Sequence, residues 1–335
     1  MKKFKLGLLG MVCLGLTVVS CSKDEEQTIP ETYETADITK KIPQKVIEAA
    51  EFLELNTNFI KYGDFVFPDG TSEERLFFED DITMTEQQLF QLKELAEAAP
   101  EGRQYRTFNL VSQGRNISII GYTGSGFSLS NKERTALQWA VNNYNRLSGV
   151  SIRFTLTFGT NFQNKDMVVY NNTANNPGSA GGSAGFPSNG LPNKFVQIYG
   201  LSPYSTNVNE HVITHEIGHS IGFRHTDWFD RLSCGGGVVY EGVGGVGAAH
   251  IPGTPTGRDF TSIMQSCFNL SVSGEFNAND ITALEYMYPI GGSTSPCDGV
   301  PAWQSGVTYS VGDQVTYFGN LFEFTASGWV FISIC

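Results

Sequence analysis

His215, Glu216, His219, Gly222 and His225 spell H-E-x-x-H-x-x-G-x-x-H, and the whole chain holds only five histidines. Asn207 or Asn209 suits a helix N-cap, and Val208, Val212, Ile213, Ile217 and Ile221 then supply an apolar stripe at helical spacing. On that helix His215 and His219 lie one turn apart, so both imidazoles can reach one ion. Glu216 points beside them and can hold water as a general base without taking a coordination position. Gly222 permits a left-handed residue that ends the helix and brings back His225 as a third nitrogen ligand. Three protein ligands with a fourth position open to water are the catalytic arrangement for one Zn2+. A buried helix with satisfied core histidines is the blander alternative. Three histidines at ligand spacing around a glutamate outweigh it.

The pattern resembles the metzincin metallopeptidases. Ser262-Ile263-Met264, with Met264 39 residues after His225, resembles the Met-turn that lies beneath the metal in that family. His-Glu-Ile-Gly-His followed by Gly-Phe-Arg-His-Thr-Asp is most similar to the dual-action HEIGH peptidases related to bacterial protease B. The resemblance implies an α+β fold, a metzincin-like catalytic domain in which a twisted mixed sheet supports an active-site helix and a Met-turn. It also implies a zinc endopeptidase. One position departs from some metzincins, which place a tyrosine two residues after the methionine; here that residue is Ser266.

The elements around the motif follow the order expected of such a domain, set at residues 106–290. Thr107 to Val111, Ile117 to Gly121, Ile152 to Phe158, Asp166 to Tyr170 and Phe195 to Tyr199 read as strands. Ser130 and Glu133 form a capping-box pair that starts a long helix running to about Arg146. A Gly/Ser/Asn-rich loop spans 171–193, and Gly181 to Phe186 is placed near the cleft, where a sheet edge can bind extended substrate. Beyond the motif, Asp227 is a candidate to accept a hydrogen bond from a ligand imidazole. His211 is expected to pack behind the site. The Gly- and Pro-rich stretch 235–257, with His250 inside it, reads as a specificity loop. A closing helix falls within Phe276 to Tyr288.

Charge separates this domain from what precedes it. The net charge is −12, and residues 22–105 hold 20 acidic against 8 basic residues. The rest is near neutral, and nothing resembles the basic stripe a nucleic-acid partner would need. Residues 1–20 read as a leader, with Lys2, Lys3 and Lys5 before an apolar run too short to span a membrane comfortably. Val18-Val19-Ser20-Cys21 resembles a bacterial lipobox, which implies lipidation of Cys21. The acidic residues that follow resemble the tag of surface-exposed lipoproteins. Residues 21–105 are a tether and candidate propeptide, a small acidic region with helices at Val46 to Leu53 and Glu86 to Ala98 and a strand at Lys61 to Phe67. Lys61-Tyr62-Gly63-Asp64 resembles in part the F-x-G-D motif with which astacin prosegments offer an aspartate to zinc, making Asp64 a latency candidate. No cysteine lies in 22–105, so a cysteine switch is excluded.

Outside leader and lipobox four cysteines remain: Cys234, Cys267, Cys297 and Cys335. Four permit three pairings; local pairing is expected, in an oxidising, exported setting. Residues 291–335 read as a linker and a small all-β module. Ala302-Trp303, Tyr309, Gly312-Asp313, Val315, Tyr317, Gly319 and Phe322 resemble the chitin-binding-type modules of carbohydrate-binding families 5 and 12. The copy lacks their second tryptophan-rich stretch and keeps Trp329. Trp303, Tyr309, Tyr317 and Trp329 are the sugar-stacking candidates.

Taken together, the sequence describes a monomeric zinc endopeptidase at the outer membrane or cell surface, acting on a protein or glycoprotein, with a polysaccharide as a second partner. Calcium sites are left unassigned. The alternative is a surface glycan- or glycoprotein-binding lipoprotein with a non-catalytic metal site. Glu216 argues against it, because a structural site has no use for a base. A glycoside hydrolase would need paired carboxylates at the cleft, and no such pair stands out.

Overall fold

The computed structural model describes residues 40–335 apart from 54, 80, 98–105, 108, 228–230, 235–250, 252, 256, 291–296, 298–299, 318–319 and 335. The described residues open with α1 (Gln44–Phe52) and an antiparallel meander of β1 (Lys61–Val66), β2 (Ser72–Phe78) and β3 (Ile82–Met84), then α2 (Glu86–Glu97). Gly70, at φ +84°, closes the β1–β2 turn, and Asp69 caps Thr71. The strands β2 and β3 go beyond the single expected one. Charged Glu73, Glu74 and Arg75 hide the alternation of β2, whose Leu76 and Phe78 are buried with Val46, Ile82 and Leu89 in a core of their own.

The next unit is a five-stranded sheet. β4 (Asn116–Tyr122) pairs in parallel with β5 (Arg153–Gly159) and with β6 (Met167–Asn171). β6 pairs in parallel with β8 (Phe195–Tyr199), and β7 (Gly181–Ser183) runs antiparallel to β8 at the edge. The crossover from β4 to β5 is α3 (Asn131–Asn145), and the Ser130–Glu133 capping box is formed. Ala136, Leu137, Ala140, Val141 and Tyr144 are the buried face of α3, as their spacing requires. The Tyr144 hydroxyl donates to the Thr214 carbonyl at 2.8 Å, tying α3 to the metal helix α4 (Thr206–Ile221). α5 (Ala278–Met287) closes the unit.

Among the described residues, the strand expected at Thr107 to Val111 does not appear. Thr107 lies instead at the end of α4, where its N–H donates to the Gly222 carbonyl, and Val111 N–H donates to the Tyr288 hydroxyl. Partners scattered in this way leave no continuous ladder. Conversely β7 emerges from the Gly/Ser/Asn-rich loop, where three small residues carry no strand pattern. The C-terminal sheet comprises β9 (Gln314–Tyr317), β10 (Asn320–Thr325) and β11 (Gly328–Ile334), all antiparallel. Among the described residues no helix is long and apolar enough to cross a membrane.

Candidate metal centre

The helix α4 begins before both of the caps its sequence suggests, Asn207 and Asn209. Ser205 is the N-cap, accepting from Val208 N–H at 3.3 Å, whereas Asn209 is fully buried and donates through its amide to Leu201 and Ser205 carbonyls. The other end is as expected. Gly222 adopts φ +116°, and its N–H closes the last turn on Gly218 and His219. A Cβ there would stand 2.7 Å from Leu110 Cδ2, so both conformation and space demand glycine. The reversal brings His225 back beside His215 and His219.

The three Nε2 atoms lie 3.0, 3.1 and 3.2 Å from one another. Tetrahedral zinc with bonds of about 2.05 Å places its nitrogens roughly 3.3 Å apart. Each Nδ1 faces an acceptor: the Ile263 carbonyl at 2.8 Å for His215, Phe223 carbonyl at 2.9 Å for His219 and Glu79 Oε2 at 2.7 Å for His225. Protons on Nδ1 leave three Nε2 lone pairs converging on one point, an arrangement that is repulsive without a cation at its centre. The residues therefore fit one zinc ion. Burial, then neighbouring His215 and His225, hold His219 well below the ordinary imidazole range, as a neutral ligand requires.

Glu216 is buried beside the cluster, and its Oε2 has no hydrogen-bond partner. Burial first, then the carboxylate of Asp81, raise its carboxyl well above the usual range, with His225 opposing. A carboxyl shifted toward neutrality is suited to taking a proton and returning it. Its position depends on Gly182 of β7. A Cβ there would lie 2.5 Å from Glu216 Cγ and 2.7 Å from Oε1. Gly182→Ala is expected to push the carboxylate aside and lower kcat about 100-fold, with KM little changed, in steady-state peptide hydrolysis.

Met264 is fully buried beneath the helix, where a Cβ on Gly218 would come within 2.6 Å of its sulfur. The turn is held by a residue that sequence reading passed over. Asp280, capping α5 from its first turn, accepts from Ser262 Oγ at 2.6 Å and Ile263 N–H at 3.1 Å, and Ile263 in turn engages His215. The signal was the Asn277-x-x-Asp280 capping box, which reads as helix punctuation alone. Asn in place of Asp280 puts an N–H₂ where an acceptor is needed. Asp280→Asn should cost about 2–3 kcal/mol in chemical denaturation and weaken zinc binding about tenfold by chelator competition.

A sequence profile of the dual-action HEIGH metallo-peptidases matches residues 76–288. The chain belongs to this family. It is a metallopeptidase, with a three-histidine centre suited to one catalytic zinc. Two solved structures of myroilysin are similar to it, at 12% and 14% identity with TM-scores of 0.36 and 0.33. Each similarity covers 55% of this chain and 83% and 87% of the myroilysin chains respectively. A sequence search of curated proteins finds no match.

This HEIGH peptidase departs from its sequence reading at two acids. Asp227 does not touch a ligand imidazole. It accepts from Ser233 N–H and Oγ with one oxygen and from Ser266 N–H and Oγ with the other. Burial would raise its carboxyl, but the bonds from Ser233 and Ser266 hold it below the usual range. Its work is to join the two strands of chain that the Cys234–Cys267 disulfide also joins. The acceptor for His225 comes instead from Glu79, 146 residues away in sequence.

Asp64 is likewise far from the centre. It is exposed on β1, opposite Glu74, in the strand farthest from β3. The acid that enters the cluster is Asp81, whose Oδ2 lies 3.0 Å from His225 Nε2 and 3.7 Å from His215 Nε2. Burial alone would raise its carboxyl; the imidazoles, His225 foremost, outweigh that and hold it far below the usual range. No motif around Glu79 or Asp81 marks either in the sequence.

The remaining candidates are placed as follows. His211 stacks near His215 and against Phe268, and burial followed by the His215 charge lowers its imidazole to about 3, so it packs behind the site rather than ligating. Cys297 is disulfide-bonded. Cys21, His250 and Cys335 lie outside the described residues. Trp303, Tyr317 and Trp329 line one cavity with Val315, Phe322 and Glu94 of α2. Tyr309 is not part of that lining; it packs edge-on to Trp329 and its hydroxyl accepts from Gln304 N–H.

Proposed function

We propose that this metallopeptidase is a metzincin-type endopeptidase, exported and anchored by lipid at Cys21, and made with residues 21–105 as an N-terminal prosegment. The observation that carries the reading is the buried Glu216 beside three converging Nε2 atoms, with the edge strand β7 running along the same site. When bound to His215, His219 and His225, zinc supplies Lewis-acid polarisation of the scissile carbonyl and makes water more acidic. Glu216 takes the proton of the attacking water and later hands it to the leaving amine. The edge of β7 aligns an extended peptide by backbone pairing, which suits cleavage within a chain rather than at its end. Met264 and the Asp280-braced turn keep His215 in place.

The test is casein or gelatin cleavage by protein lacking residues 1–105, beside Glu216→Ala and a chelated sample. Cleavage by the parent alone, restored to the chelated sample by zinc, is expected. One equivalent of zinc with no cleavage of a broad peptide library would favour a glycan- or glycoprotein-binding protein. The cavity of Trp303, Tyr317 and Trp329 supports a sugar-contacting role for the C-terminal module in addition to catalysis. Labelled palmitate incorporated by the wild-type chain and lost in Cys21→Ala would support the anchor.

A further inference from the structure

We infer that the N-terminal sheet closes this metal centre through two acids acting on opposite sides of His225: Asp81 as fourth zinc ligand and Glu79 as acceptor for Nδ1. The inference rests on the zinc-peptidase reading above and adds how the intact chain is kept latent.

The geometry is specific to the pair. Glu79 adopts φ +55°, a left-handed conformation uncommon for a side chain of its size. That turn between β2 and β3 directs both acids toward the histidines. Glu79 is fixed at both oxygens: Oε1 accepts from Asn56 N–H at 3.2 Å and Oε2 meets His225 Nδ1 at 2.7 Å. Asp81 enters from the other side, and its ligand oxygen and the three histidine nitrogens all lie within 4.8 Å of one another. Its second oxygen, Oδ1, is buried with no partner. A carboxylate left so, among three imidazoles, is placed for a cation.

The backbone of the same segment fills the substrate edge. Ala184 N–H donates to the Asp81 carbonyl at 2.9 Å, and Thr83 N–H donates to the Ala184 carbonyl at 2.8 Å, so β3 continues the sheet beyond β7 in the parallel sense. A substrate strand and β3 cannot both take these groups. Further ties hold the plug: Arg224 donates to the Leu53 carbonyl at 2.6 Å, Tyr170 to the Val66 carbonyl at 2.8 Å and Arg231 to the Glu79 carbonyl at 3.0 Å. Among the described residues the apolar cores of the two units are separate clusters, with Phe186 from the catalytic unit in the N-terminal one. The sheet is seated by polar and edge contacts and by Phe65 and Phe67 packing on Phe195 of β8, with ring centroids 6.4 and 4.7 Å away, rather than through one shared core.

The two acids should separate experimentally. In the full-length chain carrying Co(II), acetohydroxamate should leave the visible spectrum of the wild type unchanged. Asp81→Asn and Asp81→Ser should bind it at least about tenfold more tightly, with a spectral shift, because an intramolecular competitor has gone. Glu79→Gln should leave acetohydroxamate excluded but weaken zinc about 10- to 100-fold in competition with a chromophoric chelator. Asp64→Asn should match the wild type in both assays. A wild-type chain whose Co(II) spectrum shifts on adding acetohydroxamate would overturn the assignment, and that result needs no variant to fold. Because β3 still fills the substrate edge in Asp81→Asn, peptide cleavage is read in protein lacking residues 1–105. No cleavage there, with the Asp81→Asn spectral shift present, would leave the latch standing and sink the peptidase reading instead.

Discussion

Glu216→Gln, measured in protein lacking residues 1–105, should lose at least about 10³-fold in kcat while keeping one equivalent of zinc and an unchanged or higher melting temperature. The substitution preserves shape and one acceptor oxygen but removes the group that takes a proton. General-base catalysis by a positioned carboxylate contributes typically about 10² to 10⁴ in rate, and here the same group also returns the proton, so the upper part of that range applies. Stability should move the other way. Glu216 is buried, one of its oxygens has no partner, and burial already drives its carboxyl toward neutrality. A neutral amide escapes the cost of a buried charge. Since Glu216 is not a ligand, zinc content should not change. A variant that lost zinc or melted several degrees lower, in step with its activity, would show that Glu216 holds the site together rather than acting in it.

The chemistry of this protein lies largely in one contiguous stretch, and that stretch was readable. His215, His219 and His225 meet because helix period and a left-handed Gly222 bring them together, both local properties. The α3 helix was readable for the same reason, since its capping box and apolar stripe are local signals. What escaped reading was whatever depends on distant partners. β7 comprises two glycines and a serine, and becomes a strand only because β8 offers a ladder. Asp280 looked like a cap, but the turn it braces lies 17 residues earlier at Ile263. Asp227, two residues from a ligand, seemed placed to support it, while Glu79 took that part from another unit. Asp64 sat in a motif-like Gly-Asp, and Asp81 in none. Side chains recruited across a fold leave no spacing behind in the sequence.

Removal of the metal should be the largest perturbation short of unfolding. His219 has no exposed surface and its Nε2 lies 3.0 and 3.1 Å from those of the other two ligands, so His219→Ala should abolish zinc uptake and activity together. The effect on stability follows from linkage: a ligand that binds only the folded state at a free concentration 1,000-fold above its Kd stabilises by about 4 kcal/mol. For a domain of this size that corresponds to a melting temperature roughly 10 °C higher. Wild-type protein should therefore melt about 10 °C lower after exhaustive chelation and recover on addition of zinc. His219→Ala should melt near the chelated wild type and respond to neither treatment. The loss should be felt through α4 as a whole, because without the ion the three Nε2 atoms face one another unscreened, while Ile263, Phe223 and Glu79 still fix their rings from behind. Hydrogen exchange should accordingly rise first around Gly222 and His225, where the helix has ended and the third ligand hangs from a turn. Exchange that rose uniformly across the sheet instead, or a melting temperature blind to chelation, would mean that the histidines pack as core and hold no ion.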